Sequence, residues 1–439
     1  MNLKNISTAL SNDLSEIIKG KISRPIIPGE SYIPVTGKVL SEEDILFGIE
    51  AILDGWLTSG RFTEEFEREL ARYIGSRYAL LVNSGSSANL LAFYALTSPK
   101  LGERAIKPGD EIITVAAGFP TTVNPIFQYG CIPVFLDIDI PSYNIKISEI
   151  ESAITHKTKA IMLAHTLGNP FDINPVLQIA KKYNLWVIED NCDALGSEYN
   201  GKKTGSYGDL ATLSFYPAHH ITMGEGGALL INNASLKKIA ESFRDWGRDC
   251  WCAPGKDNTC GLRFSQQHGE LPCGYDHKYV YSHIGFNLKA TDMQAAIGLS
   301  QLKKIQLFVD KRRENHNYLH KKFQELDEHF ILPEKTAGSQ PSWFGFLLTI
   351  RDPSRINRNE LIQYLESKKI GTRLLFGGNL TKQPAYKNSN FKVHAPLLNT
   401  DKVMNDGFWI GVWPGIQDLH IDYMFETVKN YLIQSSVTV

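Results

Sequence analysis

Between residues 78 and 233, short apolar runs rich in β-branched residues alternate with amphipathic stretches. The runs at 78–84, 111–116, 132–138, 160–165, 185–190, 211–216 and 227–231 read as strands, and 87–97, 121–128 and 174–183 read as helices between them. Seven strands joined by helical connectors predict an α/β fold with a seven-stranded, mostly parallel sheet covered by helices on both faces. A helix is expected at 236–246, then an irregular stretch at 247–282 that holds most of the cysteines. The tetrad Thr291-Asp292-Met293-Gln294 is a capping box, in which hydroxyl and amide satisfy opposed orphan amides at a helix start. Its helix is expected to run through Leu299, Leu302, Ile305 and Val309 into the charged region at 311–314. Beyond it, a strand at 344–350 and helices at 358–368 and 423–433 predict a smaller α/β unit. The expected organisation is an arm at 1–30, a cofactor-binding large domain at 31–309 with a cysteine-bearing insertion near 247–282, and a small domain at 310–439.

Composition narrows the function. The 439 residues carry 46 Lys+Arg against 47 Asp+Glu, a formal net charge of −1, which argues against a nucleic-acid surface or an anionic membrane partner. With 43% apolar and 21% charged residues the chain reads as a folded, soluble protein. No apolar run approaches membrane length, and the first 21 residues have no apolar leader core, so a cytoplasmic location is expected. Six cysteines are too few for a disulfide scaffold; in a reducing compartment, clustered ones point to metal or redox chemistry.

In open α/β sheets ligands sit at the carboxyl ends of strands. After the first run comes Asn83-Ser84-Gly85-Ser86-Ser87-Ala88-Asn89, whose glycine allows close approach and whose helix start offers free amides to a phosphate. Alone the signal is weak, because most Gly/Ser turns before helices only cap them. Glu189-Asp190 ends another strand; a carboxylate there can hold a proton on a pyridine nitrogen, or simply cap the next turn. Third is Ser214-Phe215-Tyr216-Pro217-Ala218-His219-His220, followed by Gly226-Gly227.

In this order the three motifs resemble the sugar aminotransferase family of fold-type I pyridoxal-phosphate enzymes, over about residues 30–430. The resemblance implies phosphate binding by Gly85, Ser86 and Ser214, a pyridine partner in Asp190, and a ring-stacking aromatic in Phe119. It also implies a lysine five residues after Ser214, where this chain has His219. An imidazole forms no Schiff base but can accept a proton near neutrality. That departure suits non-covalently held pyridoxamine 5'-phosphate and dehydration of the sugar, with His219 taking a proton from the cofactor's C4′; His220 ranks second on spacing. Asp193 (near the ring hydroxyl), Tyr216 and Phe344 fall at positions where dehydrases and transaminases of the family differ. Asn287 matches a residue that reaches the phosphate of the neighbouring subunit, which implies a homodimer with a shared site.

Cys192, Cys250, Cys252 and Cys260 are separated by 57, one and seven residues. The pattern resembles the [2Fe–2S] ligands of the CDP-4-keto-6-deoxyglucose 3-dehydrase branch. A Cys₄ zinc site is the competing reading, and ordinary burial is the reading for Cys131 and Cys273. The branch implies CDP-4-keto-6-deoxyglucose as substrate and a step toward 3,6-dideoxyhexoses of lipopolysaccharide. It further implies electrons from a separate NAD(P)H-dependent flavin or iron–sulfur reductase; no G-x-G-x-x-G fingerprint is present for the nicotinamide. The rival readings are a cluster-independent dehydratase of the GDP-sugar type and a non-catalytic nucleotide-sugar binding protein.

Overall fold

The computed structural model describes residues 13–17, 20, 25–252 and 254–437; most of the expected arm at 1–30 lies outside them. Helices α1 (Glu42–Leu53) and α2 (Arg61–Ile74) precede the sheet. The strands β1 (Tyr78–Val82), β2 (Glu111–Val115), β3 (Ile132–Leu136), β4 (Thr158–Ala164), β5 (Trp186–Asp190), β6 (Leu210–Ser214) and β7 (Gly227–Ile231) fall on the seven expected runs. Between and after them lie α3 (Gly85–Ala95), α4 (Pro120–Gln128), α5 (Ile173–Tyr183) and α6 (Ala234–Arg244). The sheet order is β1-β7-β6-β5-β4-β2-β3, and an eighth short strand, Lys392–Val393, pairs in parallel with β3. Only β7 runs antiparallel, to both β1 and β6, so the sheet is mostly parallel as expected.

Period-2 alternation divides the core. Ile112, Ala160 and Ile188 enter the cluster on one face, whereas Ile113, Ile161 and Val187 enter the cluster on the other. With both faces covered, the strands read as continuous apolar runs.

The long helix is two helices, α7 (Asp292–Leu302) and α8 (Ile305–Phe323). Their junction is a turn at Lys303–Lys304, with Lys304 at φ −98°, ψ 0°. Its Nζ donates to both oxygens of the buried Asp44 carboxylate at 2.6 and 2.7 Å, tying the junction to the start of α1. Thr291 and Gln294 form the expected capping box, and Asp292 in turn caps α2 by accepting from the amides of Gly60 and Thr63 at 2.9 and 2.8 Å.

After α8, strands β8 (Phe330–Ile331), β9 (Gly345–Ile350) and β10 (Gly407–Gly411) make a three-stranded sheet packed with α9 (Arg358–Ser367) and α10 (Asp418–Val437). Among the described residues no helix is long and apolar enough to cross a membrane.

Candidate active site

Because β1, β6 and β5 all point the same way, their carboxyl ends deliver the three motifs to one place. Ser84 leaves β1 in extended geometry and caps α3, its Oγ accepting from Ser87 N at 3.0 Å. Gly85 follows with almost no space around it. A Cβ there would stand 2.5 Å from Ser214 Cβ and 3.2 Å from Cys192 Sγ. The start of α3, the end of β6 and the turn after β5 therefore touch, with Gly85 at the N-terminus of α3 packed against Ser214. A helix N-terminus with hydroxyls is the chemistry that a phosphate dianion needs.

Asp190 is held from several sides. Its Oδ2 accepts from Asn89 Nδ2 at 2.9 Å and Thr122 Oγ1 at 2.6 Å, and its Oδ1 accepts from Cys192 N at 3.2 Å. Thr212 Oγ1 donates to Asn89 Oδ1 at 2.7 Å, which fixes the amide that holds the carboxylate. Glu189 points to the opposite face and is a staple, accepting amides of Gly205, Tyr207 and Gly208 and contacting His165 Nε2 at 3.1 Å. Of the two carboxylates only Asp190 faces the motif side.

His219 follows β6 in a turn closed by its amide donating to Tyr216 O at 2.9 Å. Its ring stacks on Phe344, with centroids 5.1 Å apart and planes 26° apart. Nδ1 is buried with no hydrogen-bond partner and stands 3.6 Å from Asp193 Oδ1, beyond hydrogen-bond reach. Burial, reinforced by the Arg312 cation, lowers the His219 pKa to about 4, against a smaller opposing pull from Asp190. Burial also pushes Asp193 far above the carboxylate range, Asp190 adding to the push and Arg312 opposing it. His219 is therefore a free base at pH 7, and burial biases the Asp193 carboxyl beside it toward its protonated form.

Arg312, on α8, is fully buried and donates to His219 O at 3.3 Å and Trp343 O at 3.2 Å. Burial lowers its pKa to about 9, and Asp193 partly offsets this. His220 turns away, its Nε2 meeting Ser342 O at 2.8 Å, which makes it a packing residue beside Phe344. Phe119 and Tyr216 are each half exposed, Phe119 resting edge-on against Phe376 at 5.7 Å.

Residues 40–429 match the model of the DegT/DnrJ/EryC1/StrS aminotransferase family. The chain belongs to that family. It is 56% identical to lipopolysaccharide biosynthesis protein RfbH of Salmonella typhimurium over 432 residues, 98% of this chain and 99% of that protein. It is 51% identical to dTDP-4-dehydro-2,6-dideoxy-D-glucose 3-dehydratase of Saccharopolyspora spinosa, over 94% of this chain and 89% of that one. Among solved structures, Escherichia coli GDP-4-keto-6-deoxy-D-mannose-3-dehydratase with bound hydrated PLP superposes with a TM-score of 0.81 at 30% identity, covering 92% of this chain and 100% of that one.

The family and that PLP-bound neighbour support a pyridoxal or pyridoxamine phosphate cofactor. The residues fit one: a clamped carboxylate for the pyridine nitrogen, an amide-and-hydroxyl cradle for the phosphate, and an imidazole whose Nδ1 has no hydrogen-bond partner.

The four cysteines fit a single cluster less well. Cys192 lies against Gly85, whereas Cys250, Cys252 and Cys260 line a small pocket with Asp257, Arg263 and His277. Burial, with Asp190 adding, pushes the Cys192 thiol well up, so it is neutral. Cys252 is the opposite: despite some burial, contacts from Thr259 and the neighbouring thiol lower it. Within one chain the described residues do not gather four thiolates. Asn287 is exposed, accepting from its neighbour Lys289 Nζ at 2.8 Å, and it makes no side-chain contact with the cradle.

Sequence reasoning passed over Arg312, Asn89, Thr122 and Thr212. Arg312 had a usable signal: Ile305, Phe308, Val309, Arg312, His316, Leu319 and Phe323 form one stripe at helical spacing, and all are buried. The Asn89, Thr122 and Thr212 clamp comes from three distant elements and leaves no local pattern.

Proposed function

We propose that the chain is a pyridoxamine-phosphate-dependent 3-dehydratase acting on CDP-4-keto-6-deoxy-D-glucose. The observation that carries the reading is His219, a partly buried imidazole with a buried, free Nδ1, at the position where the resemblance implies the family's lysine. When bound, the cofactor supplies an amine for the C4 ketone and a π-system that accepts electrons as the C3 hydroxyl leaves. Asp190 keeps a proton on the pyridine nitrogen, and Ser214 with the Gly85–Ser86 amides holds the phosphate. Phe119 covers the ring face. His219, neutral at working pH, takes a proton at C4′, and burial disfavours a second anion at Asp193 beside it. Without an amine at residue 219 there is no covalent anchor to complete a transamination cycle.

Similarity to RfbH and to two nucleotide-sugar 3-dehydratases supports the substrate class and a role in lipopolysaccharide dideoxysugar synthesis. The CDP moiety, the [2Fe–2S] relay and a separate NAD(P)H-dependent reductase rest on the cysteine spacing, and no step above runs through the cluster. Completion of the site by Asn287 of a second subunit in a cytoplasmic homodimer belongs to the same proposal. The separation of Cys192 from the other three cysteines supports a second reading, a cluster-independent dehydratase.

The experiment is incubation of the purified chain with pyridoxamine phosphate and the CDP-, dTDP- and GDP-linked 4-keto-6-deoxy sugars, following loss of the C3 hydroxyl by mass spectrometry. The CDP sugar is expected to react fastest. Failure with all three contradicts the proposal, and faster turnover of the GDP sugar without iron present transfers it to the second reading.

A further inference from the structure

The irregular segment between Gly247 and Ser282 has one short turn, His277–Tyr279, as its regular structure, yet it converges on a group of donors that the proposed chemistry does not use. Asp249, His268 and His277 come from three separate parts of the segment, and one potential ligand atom from each lies within 4.8 Å of the others. His277 Nε2 is 2.9 Å from Asp249 Oδ2, and the His268 and His277 rings stack with centroids 4.8 Å apart and 15° between planes. His277 is 5% exposed. His277 Nδ1 and His268 Nε2 are buried and have no hydrogen-bond partner.

Buried ring nitrogens without partners are costly and call for an explanation. The Asp249–His277 hydrogen bond explains the burial of one pair and leaves His268 Nε2 without a hydrogen-bond partner.

We propose that Asp249, His268 and His277 form a binding site for a divalent transition-metal cation of the zinc class. Two imidazoles and one carboxylate are the donor set of such cations and not of magnesium or calcium, which take oxygen ligands. Zinc bonds of about 2.0–2.2 Å bring neighbouring ligand atoms to roughly the spacing that His277 Nε2 and Asp249 Oδ2 already have. The cation takes the place of the proton between those two atoms, His277 binding as neutral imidazole with its one ring proton moved to Nδ1, and His268 closes in through Nε2. Lys100 Nζ donates to Asp249 Oδ1 at 2.8 Å, which leaves Oδ2 turned toward the histidines. A cleft of 510 Å³ lined by both Asp249 and His277 gives the cation an open position for water. Bound there, the cation cross-links three stretches of a segment that has little core of its own.

Cys250, Cys252 and Cys260 line the same cleft, so the test must separate thiolate from imidazole ligation. Full-length C250S/C252S/C260S protein, and in parallel wild-type protein with alkylated cysteines, would be freed of metal by chelator and titrated with Co²⁺, following visible absorbance. The expected result is saturation at one Co²⁺ per chain with ligand-field bands and no near-ultraviolet thiolate charge-transfer band. His268→Gln or His277→Gln in the same backgrounds is expected to weaken binding by about 100-fold or more, since even outer-shell changes cost 10–100-fold at such sites. Absence of saturable binding in both preparations overturns the site, and so does affinity unchanged by either histidine substitution.

Discussion

His219 Nδ1 stands 3.6 Å from Asp193 Oδ1, and burial shifts the two groups in opposite directions, holding the imidazole's pKa down to about 4 and the carboxyl's well above its ordinary range. Arg312 supplies the one positive charge beside them, and it is anchored through main-chain carbonyls, including that of His219 itself. A base that is already neutral needs no deprotonation before it works, and this has consequences in pH.

The acid limb of kcat/KM reports the free enzyme's base. It is expected near pH 4, not at the ordinary histidine value of 6.5. Replacing Arg312 with Met removes a charge that opposes protonation, so the limb should move toward 6.5. A wild-type limb at 6.5 would contradict the assignment of His219 as a buried neutral base.

The same depressed pKa affects stability. Above pH 6.5 His219 is neutral in both folded and unfolded chains and contributes no pH dependence. As pH falls through 6.5 toward 4 the unfolded chain takes up the proton first, so stability is lost over that window, by about 3 kcal/mol at most. Asp193 works the other way, because its folded pKa is raised. Its contribution is intact below the unfolded value of about 3.9 and is lost as pH rises toward the folded value. Asp193→Asn should therefore melt higher than wild type at pH 8, with the gap closing toward pH 4. Thermal melts at the two pH values check the sign.

Gly85 has no space for a methyl group. Gly85→Ala should cost about 1–3 kcal/mol in urea unfolding, the usual range for overpacking, and should weaken binding of pyridoxamine phosphate in a fluorescence titration. Native-like stability with unchanged cofactor affinity would show that the cradle is not where the phosphate sits.

Cys252→Ser tests the redox part of the proposal apart from the dehydration. Removal of the C3 hydroxyl should continue, while reduction to the final deoxysugar with NAD(P)H and reductase should fail. Normal product formation would take the cysteine from the pathway.

Much of the sheet is legible in the chain because each strand is an uninterrupted apolar run with its motif at the carboxyl end. What is not legible has identifiable causes. Lys392–Val393 is too short for any periodicity and pairs with β3 through long-range contact alone. The Lys303–Lys304 break hides in a continuous helical stripe because its determinant, Asp44, is some 260 residues away in sequence. Arg312 is legible in part: its run Asp310-Lys311-Arg312-Arg313-Glu314 reads by composition as a solvated face, whereas its register in the buried stripe of α8 turns it inward. In the site, Ser214, Asp190 and His219 could be named from order and spacing. The approach of Asp193 to His219 and the opposite shifts of their pKa values could not, because those shifts are set by burial and by charges from other elements.

The central claim is that His219 takes the proton from the cofactor's C4′ carbon. Pyridoxamine phosphate deuterated at C4′, incubated with the enzyme and CDP-4-keto-6-deoxy-D-glucose, tests it by the appearance of deuterium in solvent water. The account predicts sugar-dependent release by wild type and a rate about 10²–10⁴-fold lower in a His219→Asn variant that folds normally. Release at the wild-type rate from that variant would contradict it.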